Sequence, residues 1–128
     1  MKKTVFMDRY PVYSIELMKN ELKVSSAKEI AEFLKAKIEA HPIAKFIAIF
    51  DHYSHTKALE GQMVEGLLDA QNIVFCFGQA IPNTKMLAVR PRSIGVCEFE
   101  DNFVVDFMEP PKEELYGVMQ GWVKDLLK

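Results

Sequence analysis

Two of the three histidines in the chain lie in one short segment, Asp51-His52-Tyr53-Ser54-His55, directly after an apolar run. If the chain turns helically there, His52 and His55 lie on the same face and can share a metal ion, while Asp51 binds the metal or orients an imidazole. The alternative is structural, with Asp51 capping the turn and both histidines at the surface. The spacing leaves both open, because a structural zinc site needs four ligands and the sequence contains no CxxC pair.

Two guanidinium groups flank a proline in Arg90-Pro91-Arg92. The proline fixes the backbone between them, and guanidinium groups hold carboxylates or phosphates through paired, planar hydrogen bonds. Asn83, in the preceding loop, adds a neutral donor. The alternative is that both arginines pair with nearby carboxylates of the protein or stack across an edge strand. If this segment converges with His52 and His55, these side chains together form a cationic pocket for a small anionic or acyl compound.

The two cysteines, Cys76 and Cys97, lie within apolar, strand-like segments. A reactive thiol needs a pKa lowered by a helix N-terminus or a cationic neighbour, whereas an apolar setting raises the pKa. The sequence therefore predicts reduced, buried cysteines and not nucleophiles. It contains no Walker loop, dinucleotide fingerprint or nucleophile elbow. We expect no cofactor, and an enzyme that uses Asp51, His52 and His55 is a less favoured function.

The composition is that of an ordinary globular protein. The 128 residues include 16 Lys and Arg against 18 Asp and Glu, a net charge of −2, and 49% of residues are hydrophobic, which excludes disorder as the main state. A slightly acidic chain lacks the basic surface that binds nucleic acid. The basic N-terminus meets Asp8 and Arg9 before any sufficient apolar run, and no run reaches the roughly 18 to 20 residues of a membrane span. We expect one cytoplasmic domain over residues 1–128, with no nucleic-acid or membrane partner.

Two helices have clear sequence signals. Ser26, followed three residues later by Glu29, forms a capping box, and His41-Pro42 ends the first helix. The predicted core positions of this helix are Ile30, Phe33, Leu34 and Ile38. Pro110-Pro111 introduces the last helix. Its apolar stripe repeats at helical spacing through Leu115, Val118, Met119, Trp122, Val123, Leu126 and Leu127.

Five segments favour strands by composition and alternation: 12–17, 46–50, 73–77, 93–99 and 103–108. The last two pair as a hairpin across Glu100-Asp101-Asn102. Residues 54–71 favour a short or broken helix, because Gly61 and Gly66 are costly in a helix interior. The order is β-α-β4-α with a helical insertion after the second strand. It predicts an α+β domain with a mainly antiparallel sheet of four to five strands and two helices on one face.

Three short features resemble a known family: Asp51-His52 at the end of a strand, Phe77-Gly78 with Pro82 four residues beyond, and a hairpin followed by a terminal helix. Over roughly residues 12 to 127 they resemble the bacterial domain of unknown function three hundred and two. The resemblance implies a TATA-binding-protein-like β-α-β4-α fold, and it implies no catalytic residues because none is established for that family. The protein that gives this fold its name binds DNA, but a fold does not transmit function.

Strands 46–50 and 73–77 carry apolar side chains on both faces. The two long helices cover only one face of the sheet, so the second face needs another cover: the 54–71 segment, a second subunit or a ligand. A homodimer is the simplest of these, because closed two-fold association is the commonest oligomeric state.

Three functions therefore stay open. The favoured one is a dimeric ligand-binding or sensing module, with a pocket between the sheet and the 54–71 segment that His52, His55, Arg90 and Arg92 address. The second is a structural or protein-interaction module without a pocket. The least favoured is a metal- or histidine-dependent enzyme.

Overall fold

A six-stranded antiparallel sheet runs through the computed structural model, which describes residues 1–128. The strands are β1 (Lys2–Phe6), β2 (Tyr10–Met18), β3 (Lys45–Phe50), β4 (Asp69–Cys76), β5 (Arg92–Glu98) and β6 (Asn102–Met108). The α-helices are α1 (Ala27–Ala40), α2 (His52–Ala58) and α3 (Glu113–Lys124), and short 3-10 helices span Lys19–Glu21 and Thr84–Ala88. The strand order across the sheet is β1-β2-β6-β5-β4-β3.

The predicted α+β class and antiparallel sheet are confirmed. From β2 onward the chain follows the predicted β-α-β4-α order, with α2 inserted between β3 and β4. The predicted four to five strands and two helices are too few, because β1 is a sixth strand and α2 a third α-helix. Strand β1 pairs with β2 across a turn in which Met7 and Asp8 have φ of 54° and 58°. Glycine or asparagine is usual at such positions, so the sequence contains no ordinary signal for this hairpin.

Helices α1 and α3 pack on one face of the sheet, which we call the covered face. At the start of α1, Ser26 Oγ accepts a hydrogen bond from the Glu29 amide, as predicted. The Glu29 carboxylate accepts one from the Ser25 amide, one residue earlier than a capping box requires. Trp122 of α3 meets Phe75 of β4 edge to face. The resulting core contains 19 buried hydrophobic residues from both helices and from alternate positions of the strands.

The other face of the sheet, the open face, is small or polar at its centre, at Ser14, Asn72, Ser93, Gly95 and Asp106. The two strands predicted to be apolar on both faces carry apolar side chains here, where Val74 and Cys76 lie near the exposed Ile47 and Phe50. Residues 78–91 lie over part of this region, where Ile47 and Cys76 share a pocket with them. Apolar side chains also lie on this face in β2, β5 and β6, at Val12, Cys97, Val104 and Met108. The polar centre of the open face needs no cover.

Candidate functional site

A groove of about 1150 Å³ opens where β4 ends and β5 begins. Its walls are formed by residues 77–91, by the connection after α1, by the connection before α3 together with the first turn of that helix, and by strand residues that include Val12, Asn72, Gly95 and Asp106. We call it the strand-end groove. The side chains that determine its chemistry are His41, Phe77, Met86, Val89, Arg90, Arg92, Asp106, Phe107, Met108, Glu109, Lys112, Glu114 and Leu115. No residue of segment 54–71 lines this groove, so it does not lie where we predicted a pocket.

Arg92 is the most unusual side chain of the groove. It begins β5 opposite Phe75, and strand alternation directs it towards the covered face. Its Nη2 donates a hydrogen bond to the Met108 carbonyl. Its Nε is the one buried side-chain nitrogen or oxygen in the molecule without a hydrogen-bond partner. Burial also lowers the pKa of the Arg92 guanidinium, and none of the three ion pairs in the molecule includes it. The side chain as a whole is half-buried, so it lines the groove as a guanidinium without an anionic partner, while Nε itself is covered by the protein.

Arg90 lies against the backbone of the same segment. Its Nη1 donates to the Ala80 carbonyl at 2.8 Å. A Cβ at Gly78 would lie 2.5 Å from the Arg90 guanidinium carbon, so glycine is required there for this contact. Arg90, like Arg92, takes part in none of the ion pairs, and the structure therefore does not bear out the alternative in which protein carboxylates neutralise both arginines.

Two of the three acidic residues of the groove, Asp106 and Glu109, have side-chain partners in the protein, whereas the exposed Glu114 has none. Glu109 accepts a hydrogen bond from Tyr13 and pairs with Lys3 at 2.6 Å, which holds the pKa of the Glu109 carboxyl below its usual value. Asp106 accepts a hydrogen bond from Ser14. Lys3 and Ser14 thus engage two of the three carboxylates, and neither Arg90 nor Arg92 has an acidic partner in the protein.

The segment with two histidines lies apart from the groove. Asp51 caps α2, because its carboxylate accepts hydrogen bonds from the Ser54 amide at 3.1 Å and the Ser54 hydroxyl at 2.8 Å. It also accepts one from Gln71 Nε2 at 3.0 Å. The backbone hydrogen bond from Ser54 is the largest of the effects that lower the pKa of Asp51. Asp51 therefore caps the helix, which is the structural one of the two roles considered from the sequence.

The side chains of His52 and His55 do not line the groove. His52 and His55 surround Phe50, with ring centroids 5.0 and 5.5 Å from it and 6.3 Å from each other. His52 Nδ1 is 3.0 Å from the side-chain oxygen of Asn72. Asn72 lines the groove, so it lies between His52 and that cavity. The structure contains no group of three or more histidine, cysteine or acidic side chains that could hold a metal ion, so Asp51, His52 and His55 do not form the predicted ligand set.

The remaining candidates from the sequence have local roles. Asn83 caps the 3-10 helix Thr84–Ala88 by accepting a hydrogen bond from the Lys85 amide at 3.0 Å, and it does not line the groove. Cys76 and Cys97 are free thiols, but both are half-buried where we predicted full burial. Burial raises the pKa of the Cys97 thiol, as expected for a cysteine that is not a nucleophile.

Several groove residues were not predicted from the sequence. In the sequence, His41 indicated only the end of α1. In the structure its Nδ1 accepts hydrogen bonds from the amides of Ile43 and Ala44, and its ring lies edge to face with Phe77, with the ring centroids 5.5 Å apart. Lys112, which precedes α3, also lines the groove. These residues are far apart in sequence, and only the strand pairing and the packing of α3 bring them to one end of the sheet.

One family model matches the whole chain, residues 1–128: that of DUF6858, a family of unknown function. The chain belongs to this family. The resemblance to the bacterial domain of unknown function three hundred and two is therefore wrong, because Asp51-His52 and Phe77-Gly78 are too short to distinguish one family from another. No curated protein and no solved structure matches the chain. None of its helices combines the length and apolar character that crossing a bilayer requires.

Proposed function

We propose that this protein is a binding module for small organic anions, which the strand-end groove holds through Arg92. The observation that carries the proposal is the half-buried Arg92 guanidinium, which lines the groove and belongs to none of the ion pairs in the molecule. A carboxylate of a ligand supplies the missing counter-charge, and a charge-assisted hydrogen bond in a poorly solvated site is stronger than one in water.

The walls of the groove favour an organic acid over an inorganic ion. Phe77, Phe107 and Leu115 line the groove together with Arg92. Ligand sites of this kind are concave and mostly apolar, with a few polar groups that fix the orientation of the ligand. A sulfate or phosphate gains nothing from the apolar walls, whereas a carboxylate with a hydrocarbon part gains from both kinds of contact.

Thermal unfolding with a panel of anions tests the proposal. Acetate, benzoate, octanoate, sulfate and phosphate are added at matched ionic strength to wild type and to Arg92→Met. A ligand at 100 times its Kd stabilises the folded state by about 2.7 kcal/mol, which raises the Tm of a domain of this size by several degrees. We expect this increase with at least one organic carboxylate for wild type and a smaller increase for Arg92→Met.

Arg9→Gln is the matched control, because Arg9 is an exposed arginine in the β1–β2 turn outside the groove. It should respond to each carboxylate as wild type does. If no anion stabilises wild type more than it stabilises Arg92→Met, the proposal fails. The alternative of a structural or protein-interaction module then becomes the better account of the molecule.

Homodimerisation stays a prediction. The exposed Ile47 and Phe50 at the apolar part of the open face are consistent with an interface between two copies. Sedimentation velocity over a range of protein concentrations measures the association directly. A dimer that Phe50→Ser dissociates would support the interface, and a monomer at every concentration would contradict it.

A further inference from the structure

A second pocket, of about 380 Å³, adjoins the strand-end groove. Residues 78–80 and the dipeptide Arg90-Pro91 line both cavities. We call the smaller cavity the side pocket. Its other lining residues are Ile47, Cys76, Ile81 and Leu87. Arg90 is the only charged residue in its walls, so the side pocket is apolar away from the groove.

Three large apolar side chains of the side pocket are exposed. The exposed fractions are 50% for Ile47, 65% for Ile81 and 57% for Leu87. They come from three separate parts of the chain: β3 at its register shift, the loop after β4, and the 3-10 helix Thr84–Ala88. Single exposed apolar residues are ordinary, but three around one concavity indicate a surface that binds something apolar.

Arg90 stands at the junction of the two cavities. Its guanidinium lies against Gly78 and is held by the Ala80 carbonyl, so the side chain borders the groove and the side pocket together. Arg92 lines the groove and not the side pocket, so a ligand held by Arg92 reaches the apolar space only if it extends past Arg90. The two cavities have the complementary characters of a polar head site and an apolar tail site.

We propose that the side pocket binds the hydrocarbon tail of the ligand whose carboxylate Arg92 holds. The ligand class is then an acyl carboxylate whose chain is long enough to pass Arg90 and contact Ile81 and Leu87. This inference rests on the proposed function, since it needs the carboxylate to lie at Arg92. It goes further by stating which organic anions bind tightly and which residues select them.

The test is a calorimetric titration with straight-chain carboxylates from acetate to octanoate, kept below the concentrations at which they form micelles. Burying one methylene group strengthens binding by roughly fourfold, so the Kd of wild type should fall by about that factor for each carbon that enters the side pocket. Leu87→Asn and Ile81→Asn should each weaken octanoate binding at least several-fold and leave acetate binding unchanged. Both positions are exposed, so neither variant should impair folding.

Leu59→Asn is the matched control, because Leu59 is 69% exposed and lines neither cavity. It should bind octanoate as wild type does. Binding that Arg92→Met abolishes but that does not depend on chain length overturns the tail site and leaves the proposed function standing. Equal losses in Leu87→Asn and Leu59→Asn also overturn it, because they show unspecific surface binding. If no carboxylate binds in an Arg92-dependent way, the proposed function itself fails and the tail site fails with it.

Discussion

Gln71 on β4 and Arg92 on β5 both point towards the covered face, but they lie at opposite ends of the paired strands. Gln71 is opposite Val96 and Arg92 is opposite Phe75, a separation of four residues or about 13 Å along the strands. Gln71 is only 3% exposed, and its Nε2 donates to Asp51 at 3.0 Å and to Asp69 at 2.9 Å. Arg92 Nε has no acceptor.

The difference separates a structural polar group from a candidate binding group. Gln71 joins β4 to the N-cap residue of α2 and to Asp69 at the start of its own strand, so its hydrogen bonds are used within the fold. Arg92 is half-buried and donates one hydrogen bond, to the Met108 carbonyl, but its charge has no partner within the protein. Charged side chains without a partner in the protein are found at sites where stability is given up for function.

The largest expected effect comes from Gln71→Met. This change keeps the size and shape of the side chain and removes the amide, so the Asp51 and Asp69 carboxylates each lose a donor. We expect the free energy of unfolding to fall by about 1 to 3 kcal/mol, as measured by urea denaturation. A loss below about 0.5 kcal/mol would show that these hydrogen bonds do not stabilise the fold and would remove the contrast with Arg92.

Arg92→Met makes the same replacement at the other end of the strands and should have a different result. It removes a half-buried charge that has no ion-pair partner, at the loss of one hydrogen bond to the Met108 carbonyl. We expect the free energy of unfolding without ligand to be unchanged or to rise by up to about 1 kcal/mol. A fall of 2 kcal/mol or more would mean that Arg92 is a structural residue like Gln71.

The smallest expected effect concerns pH. Hydrogen bonds from Ser54 and Gln71 hold the pKa of Asp51 below its ordinary value of 3.8. A carboxyl whose pKa is lowered by folding stabilises the native state above its unfolded pKa, and this contribution is lost as the pH falls through the folded pKa. Asp51→Asn keeps a good N-cap residue, so it should mainly flatten the decline of stability below about pH 4.

Ser54→Ala sharpens the pH experiment, because it removes the hydroxyl donor to Asp51 and keeps the backbone donor. Its stability should decline with acid less steeply than that of wild type and more steeply than that of Asp51→Asn. Equal slopes in wild type and Asp51→Asn would contradict the assignment of these hydrogen bonds to the ionised carboxyl.

Most of the fold could be predicted from local signals. The helical spacing from Leu115 to Leu127 placed α3, which ends three residues earlier at Lys124, and Ser26 located the start of α1. Strand β1 was missed because all of its residues are exposed and its turn places Met7 in a left-handed conformation without glycine. No burial pattern or turn residue therefore distinguished it from an irregular N-terminus.

The candidate site could be predicted only in part. The pair Arg90 and Arg92 was identified by residue type, and both side chains line the groove. Which of them is buried without a partner depends on the register of β5 against β4, which sequence alone does not give. His52 and His55 seemed equally suited to chemistry, but their rings surround Phe50 at the surface. Residue types identify candidates, and the pairing of strands decides which of them meet.

The most direct test of the central claim is the nuclear magnetic resonance signal of the Arg92 Nε–H group during a titration with octanoate. The chain contains three arginines, so the spectrum has three such signals, and Arg9 serves as the internal reference outside the groove. We predict that the Arg92 signal shifts saturably, with the same Kd as calorimetry gives, while the Arg9 signal stays in place. An Arg92 signal that moves no more than that of Arg9 would contradict the claim that this guanidinium holds the ligand.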